Sequence, residues 1–238
     1  MPATILYGAD GNPLIPQSKA IVEPSFGALR TVLKPLDYVY GNVVGGHYRV
    51  GIYLNGGLTA LAANAPILAF RWAPSGANAL IAVPLRVSAY AVITTAGSAA
   101  FTIDLEVVRA TSFTVQDTAG VSLSLAGGIN RMRTGMAASQ ADIRYANGTA
   151  ALAAGTRTLD GNSMGGAIFY TQPAAGVIGP ASALAGPLDL YKMDESGVQH
   201  PLVLGVAEGF VVRVPTAFGT AAVIRYYLVL EWVETPVF

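Results

Sequence analysis

The chain has 238 residues, 53% of them apolar and only 12% charged, with Lys plus Arg and Asp plus Glu both totalling 14 and no cysteine. Zero net charge argues against a nucleic-acid binder, which needs a basic face to neutralise phosphates. The missing cysteines rule out disulfides and thiolate metal sites. A chain this neutral gains little solubility from charge repulsion, so its apolar surface is expected to be buried against other subunits. Arg outnumbers Lys eleven to three, which fits planar guanidinium contacts at interfaces and fits GC-rich coding equally well.

In chain order, residues 1–45 come first, with Pro2, Pro13, Pro16, Pro24 and Pro35 set among isolated apolar residues. Such a stretch cannot build its own core and is predicted to lie as an extended arm along something else. Ile5, Tyr7, Leu14, Ile15 and Ile21 are its candidate interface anchors, with Tyr38 and Tyr40 where the arm joins the core. The same residues could equally cover an edge of their own domain. Thr31 and Val32 favour a strand over a helix in residues 26–33. No basic region followed by an apolar run opens the chain, so no secretory signal is expected and synthesis is read as cytoplasmic.

Residues 46–238 are predicted to form one β domain, because apolar residues recur at every second position. Tyr48, Val50, Ile52 and Leu54 share one face, with His47, Arg49 and Tyr53 opposite. Residues 67–72 read as a buried strand. Leu85, Val87, Ala89 and Ala91 alternate with Arg86, Ser88 and Tyr90. The apolar run 79–95 contains Pro84 and Arg86 and is too short to span a bilayer. Phe101, Ile103, Leu105 and Val107 point inward from a half-buried strand, with polar residues between them. Residues 134–142 are the best candidate for a short helix. Residues 172–187, rich in Gly, Ala and Pro, read as a loop. Residues 202–204 read as another buried strand. Phe210, Val212 and Val214 alternate with Val211 and Arg213 until Pro215 ends the run. The last strand puts Ile224, Tyr226, Leu228, Leu230 and Trp232 on one face and Arg225, Tyr227 and Glu231 on the other. Both of its faces are largely apolar, so the second is also expected to meet protein. With 27 Gly and 14 Pro punctuating the chain at strand-length intervals, the fold class is all-β, a sandwich or jelly roll.

Chemistry is sparse. Of the two histidines, His47 opens a strand and His200 precedes Pro201, and neither stands at metal-ligand spacing from a carboxylate or from the other. No nucleophile elbow and no phosphate-cradling loop occurs. A carboxylate pair suffices for a glycosidase, and Asp160 and Glu208 are the residues to weigh. The structural alternative makes Asp160-Gly161 a turn and Glu208 a strand-edge residue paired with an Arg. Sugar sites favour exposed Trp, whereas Trp72 and Trp232 both lie in core-like strands. The Asp-Gly-Asn runs at 10–12 and 160–162 lack the further oxygens of a calcium loop. The expectation is therefore no enzyme, no metal and no cofactor. A carbohydrate- or receptor-binding module is the alternative class, with exposed aromatics expected among Tyr145, Phe169 and Tyr170.

One ordered set of short motifs goes further. His47-Tyr48-Arg49-Val50, Phe70-Arg71-Trp72, Ala151-Leu152 with Gly155-Thr156-Arg157-Thr158-Leu159-Asp160, Pro201-Leu202-Val203-Leu204 with Glu208-Gly209-Phe210-Val211-Val212, and Leu230-Glu231-Trp232-Val233-Glu234 together resemble virion structural proteins of tailed bacteriophages. The resemblance spans roughly residues 28–234. It implies a capsid decoration (cement) protein or another head or tail component, located in the virion. Such proteins are commonly trimeric, with a jelly-roll or sandwich core and an arm laid over neighbouring capsomers. The implied partners are further copies of the chain and the major capsid protein, with no membrane and no nucleic acid. The resemblance carries no catalytic or ligand residue, and it fits a tail-associated receptor- or carbohydrate-binding module as the alternative.

Overall fold

A computed structural model describes residues 21–22, 29–30, 46–54, 57–74, 80–125, 130–132, 135–176, 187–193, 201–219 and 222–235. The chain divides into two compact units, residues 1–41 and 42–238. Of the first unit, only a pair of two-residue strands is described. β1 (Ile21–Val22) and β2 (Leu29–Arg30) pair antiparallel, so the strand favoured for residues 26–33 is present at its centre.

The second unit is all-β, with two antiparallel sheets of four and seven strands. In chain order its strands are β3 (Gly46–Tyr53), β4 (Ala65–Trp72), β5 (Ile81–Thr95), β6 (Phe101–Val115), β7 (Val121–Ser122) and β8 (Ala141–Tyr145). They continue with β9 (Thr156–Leu159), β10 (Gly165–Gln172), β11 (Leu188–Lys192), β12 (Gly209–Val214) and β13 (Val223–Thr235). The four-stranded sheet runs β11-β5-β13-β3. The seven-stranded sheet runs β10-β6-β12-β4-β8-β7, and β9 also pairs with β6.

Period-two alternation makes these strands because one face of each is buried. Tyr48, Val50, Ile52 and Leu54 of the β3 segment, Phe101, Ile103, Leu105 and Val107 of β6, and Ile224 to Trp232 at alternate positions of β13 are all buried. Side chains from both sheets meet in one core. Trp232 of the four-stranded sheet stacks on Tyr48 and meets Phe70 of the seven-stranded sheet edge-on at 5.5 Å, while Phe70 stacks on Phe210 at 4.8 Å. Trp72 is also fully buried, its indole N–H donating to the Leu80 carbonyl. Both tryptophans are therefore core residues, as their strand contexts predict. Pro84 is accommodated inside β5 because it lies at a register irregularity opposite β13, beyond the stretch that β11 pairs.

Several expectations need correction. Residues 135–140 are not helical, and a strand begins at Ala141. Tertiary contacts claim the groups a helix would use: the Tyr48 hydroxyl donates to the Ala137 carbonyl, and the Gln140 N–H donates to the Glu234 carboxylate. Residues 202–204 contribute one isolated bridge, Leu204 to Ala82, rather than a strand. Asp160-Gly161 does not reverse the chain. β9 and β10 pair along the same edge of β6, so residues 160–164 are an outward bulge in one long edge segment, anchored by the Asp160 N–H on the Arg109 carbonyl. Asp104, on the polar face of β6 by pattern, is buried and accepts a 2.6 Å hydrogen bond from Thr216. Of the loop expected at 172–187, Gln172 closes β10 and residues 173–176 form a turn. The Gln172 side-chain amide holds the β5–β6 connection by donating to the Gly97 and Ala99 carbonyls.

Candidate functional site

Alternation fixes which residues point away from the core, and strand register fixes which of these become neighbours. On the outer face of the four-stranded sheet, Tyr53 of β3 lies opposite Tyr227 of β13, and Tyr227 lies opposite Tyr90 of β5. Three tyrosines thus form one row across three adjacent strands. The next row is Gly51, Val229 and Ser88, and the row after it is Arg49, Glu231 and Arg86.

Exposure and packing distinguish the row. Tyr53 is 49% exposed and Tyr227 39% exposed, both large for aromatic side chains on a sheet. Tyr90 and Tyr227 meet edge-to-face at 5.8 Å. The phenol end of Tyr227 leans over Gly51, where a methyl group would collide with its hydroxyl oxygen. Glycine at 51 is therefore what lets the ring lie down along the sheet, between Tyr53 and Arg49.

The charges on this face divide into two groups. Glu231 accepts a 2.7 Å contact from the imidazole of His47, and Asp189 of β11 accepts a 2.6 Å hydrogen bond from Arg86. Both carboxylates are thus engaged. Arg49 and Arg225 have no side-chain hydrogen bond or ion pair among the described residues, and the buried Nε of Arg225 is unpartnered. Among the described residues, the open electrostatic valence of the face is positive.

The carboxylates weighed for catalysis are used differently. Both oxygens of Glu208 accept hydrogen bonds, Oε1 from Arg109 at 2.9 Å and Oε2 from the Gly205 N–H at 2.6 Å, so the expected Arg pairing is present. Asp160 sits exposed on the bulge between β9 and β10. Among the described residues, no group of three or more His, Asp or Glu side chains is arranged to hold a metal ion, and no helix is long and apolar enough to cross a membrane.

Of the interface anchors expected in the N-terminal segment, Ile5, Tyr7, Leu14, Ile15, Tyr38 and Tyr40 lie outside the described residues. Ile21 is described by its backbone alone, in β1 opposite Arg30. The aromatics expected at loop tips are in strands instead. Tyr145 ends β8 and is half-buried, Phe169 is buried in β10, and Tyr170 is half-buried beside it. Among the described residues the exposed aromatics are Tyr53 and Tyr227 of the tyrosine row, with Tyr90 half-buried beside them, and sequence alone marks the three only as outward members of separate alternations. Their alignment depends on register between strands as far apart as residues 53 and 227. Comparison of the chain with protein-family models, with curated proteins and with solved structures found no match in any of the three.

Proposed function

We propose that this chain is a non-enzymatic virion structural protein of the tailed-bacteriophage type, a capsid decoration protein with a jelly-roll core that self-assembles as a trimer and binds across capsomers. The observation that carries the reading is nested strand pairing. β3 pairs with β13, β4 with β12, β5 with β11 and β6 with β10, all antiparallel. Eight strands nested first-to-last in this way form one long hairpin. In this reading rolling it joins β13 to β5 and β12 to β6, and the two sets of four strands match the double Greek-key order of a jelly roll. β7 and β8 are then an insertion between the fourth and fifth strands, and β9 is an extension of the fifth.

Jelly rolls recur in capsid and lectin domains, which is the support a jelly-roll reading lends to this function. Neutral charge and an apolar excess favour a protein that works by burying surface. A contact of roughly 1,000 Å² or more per subunit suffices for specific docking, and lattice repetition multiplies it. In this reading residues 1–45 are the arm, anchored through Ile5, Tyr7, Leu14, Ile15 and Ile21 on the major capsid protein, with Tyr38 and Tyr40 at its root. The arm covers much surface for little mass, at an entropic cost of ordering.

Light scattering across a dilution series tests the self-assembly. The expected mass is three times the chain mass of 24.5 kDa, and a monomer at every concentration contradicts it. Deleting residues 1–20 should leave a folded protein that no longer pellets with empty capsids, and retained pelleting contradicts the arm.

A further inference from the structure

We propose that the tyrosine face of the four-stranded sheet binds an acidic polysaccharide, a chain of uronic-acid sugars. Two features of one surface meet two features of that ligand. A pyranose ring presents an apolar C–H face, which suits packing on exposed aromatic rings such as Tyr53 and Tyr227. A uronate carboxylate accepts paired hydrogen bonds from a guanidinium, and Arg49 and Arg225 are the charged side chains of this face that lack a partner among the described residues. The Gly51 hollow, with the Tyr227 ring leaning into it, lies between Tyr53 and Arg49 along β3. A ring stacked there has a guanidinium at its edge.

The same observations set other ligand classes aside. A neutral glycan needs acceptors for its hydroxyl protons, and the carboxylates of Glu231 and Asp189 are already engaged by His47 and Arg86. A nucleic acid carries phosphate at a density that demands a basic track, whereas this chain has zero net charge and two unpaired guanidiniums on the face. Three adjacent strands make the row about 10 Å long, a footprint for a short run of sugars. A specific protein contact needs about 800 Å² per side.

The inference stands apart from the capsid reading. Binding to capsids and binding to a polyuronate are separate measurements, and either can fail alone. The test measures binding of the full chain to immobilised polygalacturonate, with neutral dextran, dextran sulfate and a single-stranded oligonucleotide as comparison ligands. Saturable binding to polygalacturonate that weakens with added salt is expected, together with no binding to dextran. Tyr227→Ala and Arg49→Gln should each weaken binding about tenfold or more while leaving the protein folded. Gly51→Ala keeps every ligand-contacting group but displaces the Tyr227 ring, and should weaken binding in the same direction. No binding to polygalacturonate overturns the proposal. So does unchanged affinity in the folded Tyr227→Ala and Gly51→Ala variants, or equal binding to all three polyanions.

Discussion

The outer faces of the two sheets are built from similar residues to opposite ends. On the seven-stranded sheet two outward arginines are matched by carboxylates across strands. Arg71 pairs with Asp142 directly opposite it, and Arg213 pairs with Glu106 likewise. The segment leaving β6 is tied down over these strands, with Arg71 donating to the Thr114 carbonyl, Gln116 to the Asp142 carbonyl and Arg144 to the Ala119 carbonyl. Where this segment meets the returning chain, buried Asp117 accepts from Arg157 and from the Gly155 N–H. Burial, and Arg213 beside it, lower Arg157 to about 10, so it stays charged at neutral pH. Phe113 lies under its guanidinium at 5.4 Å. The four-stranded sheet instead leaves two guanidiniums and a row of tyrosines facing outward. A face whose charges are largely paired within the chain contributes to folding, and a face that leaves guanidiniums without a carboxylate is free to contribute to binding.

Four substitutions probe that contrast, from the largest expected effect to the smallest. Asp117→Ala leaves the Arg157 guanidinium buried without its carboxylate and should cost about 3–5 kcal/mol, measured by urea unfolding. A loss below about 1 kcal/mol would mean that the crossing segments hold without the ion pair.

Glu234 tests a buried carboxylate that has hydrogen bonds but no ion pair among the described residues. Burial raises its pKa, although Ser139, Trp232 and the backbone at 140 and 141 donate to it and pull the other way. A carboxyl raised in the folded state binds its proton more tightly there than in the unfolded chain. Its contribution to stability is therefore fullest below the ordinary carboxylate range and is lost as pH rises through the raised value. Glu234→Gln should flatten the fall in unfolding temperature between acid and neutral pH, and an unchanged pH profile would contradict the assignment.

Tyr227→Ala removes an exposed ring from the open face and should change stability by less than about 1 kcal/mol. A larger loss would mean that the tyrosine row supports the fold. Smallest of all, Glu231→Gln breaks the pair with His47, whose partners are both about one-fifth exposed. The cost should be about 0–1 kcal/mol, read as a small shift in the urea midpoint.

What could be read from sequence follows the same division. Inward faces were legible because burial imposes period two, which β3 repeats throughout and β13 from Ile224 to Trp232, whereas β6 departs from it at buried Asp104 and Val108. Val211, buried on the outward side of β12, is a further departure, which no local period records. The helix expected at 134–142, absent over the described residues 135–142, and the buried Asp104 have the same origin, since distant partners, Glu234 and Thr216, claim polar groups there. The tyrosine row needed two further facts, the register of β13 with β3 and with β5. His47 showed no nearby carboxylate along the chain because its partner Glu231 is 184 residues away.

The most direct test of the account is sedimentation of the full chain with empty tailed-phage heads that lack their decoration protein. The account predicts saturable co-sedimentation, with bound protein reaching a fixed ratio to the shell subunits in multiples of three per lattice site. Protein that stays in the supernatant at every concentration, with the heads intact and pelleted, would contradict it.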